Sequence, residues 1–426
     1  MNWYDTDSSS DEEDEWDEDE ELVIFMTMEM ESNKRPKHGG SVVGRENIRR
    51  RRQEGHHRLM LDYFGLPGIP RVYPEHYFRR RFRMGTDLFI YISNVIKEKD
   101  IFFKQHRNCT GLLGHSTLQK MTAALRIMAY GIPADLVDDN IAMAESTAIF
   151  CLRRFAKVII KCFGELYLRA PNAEDTRRLL AMNAARGFAG MLGSIDCMHW
   201  RWKNCPAAWH GQFTGHNKDP TIILEAVVDQ ETWIWHAYFG MPGACNDINV
   251  LNQSPLFASL GMGESPEVEF ELNGHKYNKG YYLADGIYPQ WATFVKPIVD
   301  PKGPKQSRFH SAQAAARKDV ERAFGILQSQ FAIVRGPARF WDQKTLGRIM
   351  MACVILHNMI IHYERHDEDF DHRYSFIGKV VQPCRREDRI KHFLQVHHEI
   401  RDSETHQQLK EDLMEEWWKW SGNQDT

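Results

Sequence analysis

Three acidic residues are the side chains of this chain best placed to do chemistry. Asp196 lies near the end of the apolar run 191–197, Asp285 directly follows the apolar run 281–284, and Glu321 lies on a helical segment. Magnesium and manganese ions prefer such oxygen ligands and keep several waters. Two of these ions about 3.5–4 Å apart stabilise both the attacking and the leaving oxygen of a phosphodiester. The pattern therefore favours metal-dependent phosphodiester chemistry. Without metal, the acids should repel one another and show raised pKa values.

Asp247 is a fourth candidate ligand. It follows the turn Pro242-Gly243 and stands where a helix is predicted to begin. A carboxylate there can reach the same metal site, or it can cap the helix N-terminus, a position that favours Asp. Both interpretations of Asp247 stay open at this point.

The elements that must position these acids form a strand-rich segment. Its predicted strands are followed by a helix over 312–330, and a further helix begins at Asp247 after the third strand. This order is that of the ribonuclease-H-like fold, in which the first strand is central and the fourth lies beside it. We therefore predict a mixed α/β catalytic domain over 190–365. Its five strands are expected at 191–197, 221–228, 232–239, 281–284 and 294–298.

A helical domain is predicted ahead of it, over 86–175. Apolar residues recur at helical spacing there, and Ser116 or Thr117 is a candidate N-cap. A short helix near 134–139 is followed by one whose outward face carries Arg153, Arg154 and Lys157. A turn followed by a basic helix is compatible with a DNA-binding helix-turn-helix. An ordinary helical bundle explains the same spacing.

The charge distribution is strongly asymmetric along the chain. The first 33 residues hold 14 of the 58 acidic residues and no Lys or Arg, so the remainder carries a net charge of +10. We expect residues 1–40 to be a disordered acidic tail, and the basic body to suit a polyanion such as DNA. Residues 366–426 are predicted to be a helical extension.

The interval 41–85 is predicted to be a basic linker or arm. The clusters 34–37 and Arg49, Arg50, Arg51 and Arg52 each fit a nuclear import signal or a phosphate-contacting arm. The cations of 79–83 are interleaved with Phe78 and Phe82. They either extend the basic stretch or form an amphipathic turn whose aromatic rings lie in the core.

Several classes of protein are disfavoured by composition. No apolar run approaches the roughly 18 residues of a membrane span, so no membrane partner is expected. The acidic start is neither a secretory signal nor a transit peptide. The eight cysteines include no C-x-x-C pair, which predicts reduced thiols in an intracellular protein without structural zinc.

Ordered motifs around the four acids resemble the PIF/Harbinger superfamily of DDE transposases, in its plant and oomycete branch. The likeness extends over most of residues 60–420, including the segment Trp202–Gln212 and the motif His357–Ile360. The four main motifs are Gly193–Trp200, Met241–Asp247, Leu283–Pro289 and Val320–Leu327. At the two positions before Asp247, where that family often has a small residue and His, this chain has Cys245 and Asn246.

The resemblance implies a catalytic triad of Asp196, Asp285 and Glu321, with Asp247 as a further metal-associated acid. It also implies Mg²⁺ or Mn²⁺ as cofactor, transposon-end and target DNA as substrate, and location in the nucleus. A Myb/SANT-like accessory protein is the usual partner, and a homo-oligomer is compatible with the family. The alternative is a domesticated DNA-binding or protein-interaction module that keeps the fold without transposing.

Three further residues near the acids have two interpretations each. His199 can contact a phosphate or water, or it can orient a carboxylate through a hydrogen bond. Lys203 and Lys218 can hold a DNA phosphate or lie in a solvated loop.

Overall fold

The computed structural model describes residues 48–108, 111–215, 218–256, 268–365 and 400–424. The predicted acidic tail, the cluster 34–37 and much of the C-terminal extension lie outside the described residues. Within them, the chain divides into two compact units. The first contains 48–127 and 132–155, and the second contains 128–131 and the described residues from 156 onward.

The first unit is helical. The interval predicted as a basic linker contains two helices, and Phe78 and Phe82 of the second are fully buried among arginines that are half-buried or exposed. Arg81 lies over the Tyr73 ring, with its guanidinium carbon 3.9 Å from the ring centroid, which confirms the amphipathic interpretation of this segment. The helices of this unit, two of which continue into the second, are α1 (Arg52–Tyr63), α2 (Glu75–Phe82), α3 (Thr86–Lys99), α4 (Thr117–Tyr130), α5 (Asp138–Ile141) and α6 (Glu145–Tyr167).

A capping box starts α4. The backbone N–H of Gln119 donates to Ser116 Oγ over 3.2 Å, and the N–H of Ser116 donates to Gln119 Oε1 over 3.0 Å. This reciprocal pair satisfies two donors that a helix start leaves without intrahelical partners. Ser116 is therefore the N-cap, and Thr117 is the first helical residue.

The second unit is built on a five-stranded mixed sheet of order β3-β2-β1-β6-β7. The pairs β1–β2 and β2–β3 are antiparallel, whereas β1–β6 and β6–β7 are parallel. Two short strands, β4 and β5, form a separate hairpin. The strands are β1 (Met191–Arg201), β2 (Thr221–Val228), β3 (Ile234–Pro242), β4 (Phe270–Leu272), β5 (His275–Tyr277), β6 (Tyr281–Leu283) and β7 (Phe294–Val295).

Helices cover the sheet, and two hydrophobic clusters form on its faces. On β6, Tyr281 and Leu283 belong to one cluster and Tyr282 to the other, as the alternation of strand side chains requires. β2 is buried at every position because it lies between β1 and β3 in a covered sheet. The helices of this unit are α7 (Ala173–Ala184), α8 (His210–Phe213), α9 (Asp247–Gln253), α10 (Gly303–Gln330), α11 (Ala332–Arg335), α12 (Gln343–Arg365) and α13 (Ser403–Gln424).

The helix α12 is apolar enough, over Gln343–Glu364, to cross a membrane by length and composition. However, 83% of its apolar window is buried inside the protein, with Met350 and Met359 fully enclosed. This is the burial of a core helix in a globular unit.

These elements confirm a mixed α/β protein with a helical N-terminal part, and β1 lies centrally beside β6 as predicted. β1 is longer than predicted, since its pairing with β2 continues to Arg201 opposite Thr221. Asp196 is consequently in the middle of the strand. The expectation from the apolar run 191–197, that Asp196 lies near the end of its strand, is wrong.

Candidate metal centre

Asp196 lies where one edge of β1 becomes open. β1 pairs with β6 only through Ser194, which is opposite Leu283. From Ile195 to Trp200 that edge has no strand beside it among the described residues, while the other edge continues along β2. At Arg201 the edge is paired again, since the Arg201 carbonyl accepts the Ala338 N–H over 2.8 Å. The Asp196 carboxylate therefore stands beside the end of β6, and its Oδ1 accepts the Cys197 N–H over 2.8 Å.

Asp285 follows directly on that end of β6. It comes two residues after the last strand residue, Leu283, and its Oδ1 accepts the Ile287 N–H over 2.9 Å. This local bond holds the carboxylate in a turn of the kind that Asp favours. Because β1 and β6 are parallel neighbours, the turn brings Asp285 to the edge of β1 at which the half-buried Asp196 carboxylate lies.

Asp247 reaches the same region from α9. Asn246, and not Asp247, is the N-cap of α9, because the Asn246 side chain accepts the Asn249 N–H over 2.9 Å. Asp247 is the first helical residue, so its interpretation as a cap is wrong. Its carboxylate lies near the Cys197 thiol and in the field of Asp285.

The three aspartates repel one another. The pKa of Asp196 is raised to about 6, chiefly by burial and also by the charges of Asp285 and Asp247, against the opposing effects of the Cys197 N–H and of Arg317. Burial, followed by the charge of Asp285, also raises the pKa of Asp247. Mutual repulsion of this kind is what an acidic metal site shows without its cation.

Glu321 is attached to this group through Arg317. Arg317 Nη1 lies 3.1 Å from Asp196 Oδ2, and Arg317 Nη2 lies 2.6 Å from Glu321 Oε1, one helical turn along α10. The helix is fixed against β1 by Ser194, whose hydroxyl donates to the Ala316 carbonyl over 3.1 Å. Glu321 thus lies on the same side of the sheet as Asp196, with an arginine between them.

The donor set fits an oxygen-preferring divalent cation, since every candidate ligand is a carboxylate from a different element. In the part of the chain that the structure describes, no three His, Cys, Asp or Glu side chains converge closely enough to hold an ion between them. The residues that would hold it are Asp196, Asp247, Asp285 and Glu321, and their side chains must turn inward to do so.

The side chain of His199 does not orient a carboxylate through a hydrogen bond. Its Nδ1 lies 2.9 Å from Thr221 Oγ1 on the neighbouring strand, and Asp247 is close enough to act on it electrostatically. Lys203 and Lys218 are exposed in the segment that follows β1. Lys218 has a positive φ of 61°. Their exposure fits a solvated loop and leaves both accessible to a phosphate.

The candidate DNA-binding cations of the first unit differ in their surroundings. Arg50 and Arg154 form ion pairs of 2.6 Å with Asp138 and Asp100, so both are used in holding the unit together. Of the remaining candidates, Arg49, Arg51 and Arg153 are exposed, Arg51 lies 3.4 Å from Glu54, and Arg52 and Lys157 are half-buried.

Two residues near the acids were missed from the sequence. Arg317 has no pattern that sets it apart from the other cations. Glu225 is fully buried on β2 opposite Cys197, and its Oε1 lies 3.3 Å from His236 Nε2. A lone Glu within the apolar run 221–228 was the available signal, since a fully buried acid is rare without a partner.

Two family models match parts of this chain. Residues 165–368 match the family model described as plant transposon protein, and residues 55–97 match a domain family of unknown function. An ALP1-like protein of Arabidopsis thaliana is 24% identical over 299 residues, which is 67% of this chain and 71% of that protein. No solved structure matches.

Two further relatives have names that suggest different roles. HARBI1 of Homo sapiens, named as a proposed nuclease, is 22% identical over 249 residues, or 57% of this chain and 67% of that protein. The Arabidopsis thaliana protein named antagonist of like heterochromatin protein 1 is 22% identical over 305 residues, or 69% of this chain and 75% of that protein.

Proposed function

We propose that this chain, which belongs to the Harbinger-derived nuclease family and carries its plant transposon domain, is an enzyme. The proposed activity is that of a metal-dependent DNA nuclease of the DDE transposase type. The observation that carries the proposal is the meeting of Asp196 and Asp285 at the open edge of β1, within the electrostatic reach of each other and of Asp247. The strand order supports assigning the sheet to the ribonuclease-H-like fold.

The proposed chemistry is hydrolysis of a phosphodiester at transposon ends, followed by attack of the freed 3′-hydroxyl on target DNA. Divalent cations, Mg²⁺ or Mn²⁺, supply charge neutralisation at the attacking and leaving oxygens when bound. Asp196 would hold them from β1 and Asp285 from the turn after β6, with Asp247 and Glu321 adding oxygens from two helices. The half-buried setting excludes part of the water and strengthens each of these interactions.

The proposed function also includes contacts with DNA phosphates, a nuclear location and a protein partner. Exposed Arg49 and Arg51 in the first unit, and Lys203 and Lys218 in the second, are candidates for phosphate contacts. A nuclear location and a Myb/SANT-like accessory protein are parts of the same proposal. Expression of the chain with and without such a protein, followed by imaging, tests both.

A second candidate function is a protein-interaction module that keeps the fold. It is favoured by the name of one relative, which describes an antagonist of a heterochromatin protein. Under this alternative the acids have no catalytic role, and replacing them changes no DNA product.

A cleavage assay separates the two functions. Purified full chain is incubated with labelled transposon-end DNA and the accessory protein, in Mg²⁺, in Mn²⁺ and in EDTA. Metal-dependent strand cleavage that Asp285→Asn abolishes, while Asp300→Asn retains it, supports the nuclease. Asp300 is a suitable control because it is an exposed acid outside the cluster. Equal products from wild type and Asp285→Asn would favour the interaction module.

A further inference from the structure

Arg317 holds two acids of the candidate metal centre together in the absence of a metal ion. Its guanidinium spans two of the acids, with Nη1 on Asp196 and Nη2 on Glu321. These two acids come from different elements, β1 and α10, and Arg317 joins them directly. The oxygens that it occupies, Asp196 Oδ2 and Glu321 Oε1, belong to groups that the proposed function assigns to the cation.

We propose that Arg317 is a displaceable internal cation that competes with the divalent metal for Asp196 and Glu321, and that on metal binding it moves onto a phosphate of the DNA. The inference rests on the proposed function, because it assumes that these carboxylates take a metal. A guanidinium has five N–H donors in a rigid fork, which matches a phosphate as well as it matches a carboxylate.

The competition follows from charge and geometry. Asp196 Oδ1 already accepts the Cys197 N–H, so Oδ2 is the oxygen that Arg317 holds and that a cation needs. A metal at this point would place two positive groups on the same oxygens, and their repulsion would drive the arginine away.

The second half of the inference follows from the anchoring of α10. The backbone of Arg317 stays next to the sheet because the Ala316 carbonyl is fixed by Ser194, and Val320 packs in the core. Only the side chain is therefore free to leave its two acids. With about one fifth of that side chain exposed, a turn about its own bonds brings the guanidinium toward solvent at the site, where a bound phosphodiester would lie.

Other cations on the same helix do not share this placement. Arg322 pairs with Asp319 over 3.1 Å and donates to the Gln230 carbonyl. Neither partner belongs to the candidate metal centre. Arg322→Ala is therefore a matched control, as it removes an ion pair from α10 and leaves the acids and Arg317 in place.

The test compares wild type, Arg317→Ala, Arg317→Lys and Arg322→Ala as full chains. Mn²⁺ affinity without DNA is measured by calorimetry, and affinity for labelled duplex DNA is measured by fluorescence anisotropy in Ca²⁺, another oxygen-ligated cation. If Arg317 had only a structural role, its removal would weaken both metal binding and DNA binding. The proposed role predicts opposite changes in the two quantities.

We expect Arg317→Ala to bind Mn²⁺ about tenfold more tightly than wild type and DNA about tenfold more weakly, as expected for losing one charge-assisted contact. Arg317→Lys should recover part of the DNA affinity, and Arg322→Ala should change neither quantity more than about twofold. Mn²⁺ affinity that is equal or lower in Arg317→Ala overturns the inference. Metal binding by wild type that Asp196→Asn removes would still support the proposed function in that case. If no variant binds Mn²⁺, both fall.

Discussion

The side chain of Asn358 pairs with the backbone of Ile234 as a neighbouring strand would. Asn358 Oδ1 accepts the Ile234 N–H over 2.9 Å, and Asn358 Nδ2 donates to the Ile234 carbonyl over 2.7 Å. The same Nδ2 also donates to the Tyr167 carbonyl over 2.7 Å. A single amide from α12 thereby satisfies the first residue of β3 at the edge of the sheet.

Replacing Asn358 should therefore cost more stability than its size suggests. We predict that Asn358→Leu lowers the free energy of unfolding by about 3 kcal/mol, because three buried backbone groups lose their partner. Urea unfolding followed by circular dichroism measures the change. Asn249→Ala, an exposed position on α9, is the control. A loss below about 1 kcal/mol in Asn358→Leu would contradict this role.

The pair of Glu225 and His236 predicts a second effect on stability. Removing the imidazole takes away the polar side chain whose Nε2 lies 3.3 Å from Oε1 of the fully buried Glu225, and a buried acid left without such a neighbour destabilises the fold. We therefore expect His236→Ala to be strongly destabilising, and Glu225→Gln to restore most of the loss in the double variant. Thermal and urea unfolding of the four proteins form a double-mutant cycle. Additive losses would show that the two side chains are not coupled.

The cap and the ligand of α9 can be separated by two substitutions. Asn246→Ala should lower the free energy of unfolding by about 1 kcal/mol, since it removes the N-cap. Asp247→Asn should leave that free energy unchanged or raise it, because it relieves repulsion from Asp285, while it weakens Mn²⁺ binding. Destabilisation by Asp247→Asn with unchanged Mn²⁺ affinity would reverse these assignments.

The raised pKa of Asp196 predicts that the free energy of unfolding falls as the pH rises. An ordinary salt-bridged acid has the opposite effect. The folded state holds the Asp196 proton more tightly than the unfolded chain does, so the stabilisation by this proton is complete below about pH 4. It is lost as the pH rises through about 6. Without metal, wild type should lose about 2–3 kcal/mol more than Asp196→Asn across this window.

Metal binding should change in the opposite direction over the same window. The cation needs the ionised carboxylate, so Mn²⁺ affinity should fall by up to about tenfold per unit below pH 6. Calorimetric titrations at several pH values measure this slope. A flat affinity between pH 5 and 7 would contradict the assignment of Asp196 as a ligand.

Much of the sheet could be predicted from the sequence because buried strands are recorded in local patterns. The runs 191–197, 221–228 and 281–284 each correspond to an observed strand. The full length of β1 could not be predicted, because it depends on how far β2 continues beside it. The hairpin of β4 and β5 was missed although Asn273-Gly274 has the positive φ angles, 49° and 87°, of a tight hairpin turn. Its three-residue strands are too short to show alternation.

The role of the four acids as metal ligands stays a prediction, and the contacts around them could not be predicted from the sequence. The motifs identified the four acids, but two features decided by side-chain packing were not visible. Asn246, and not the predicted candidate Asp247, is the N-cap of α9. Arg317 lies between Asp196 and Glu321. The spacing of four residues on a helix indicates its pair with Glu321, whereas its contact with Asp196 depends on which strand lies opposite the helix.

The location of bound manganese tests the central claim most directly. Crystals of the full chain soaked in Mn²⁺, with anomalous diffraction recorded at the manganese edge, would show each ion. The account predicts an anomalous peak within about 2.3 Å of carboxylate oxygens of both Asp196 and Asp285, lost in Asp196→Asn. Fully soaked crystals with no peak between these two carboxylates, or with peaks only at other acids, would contradict it.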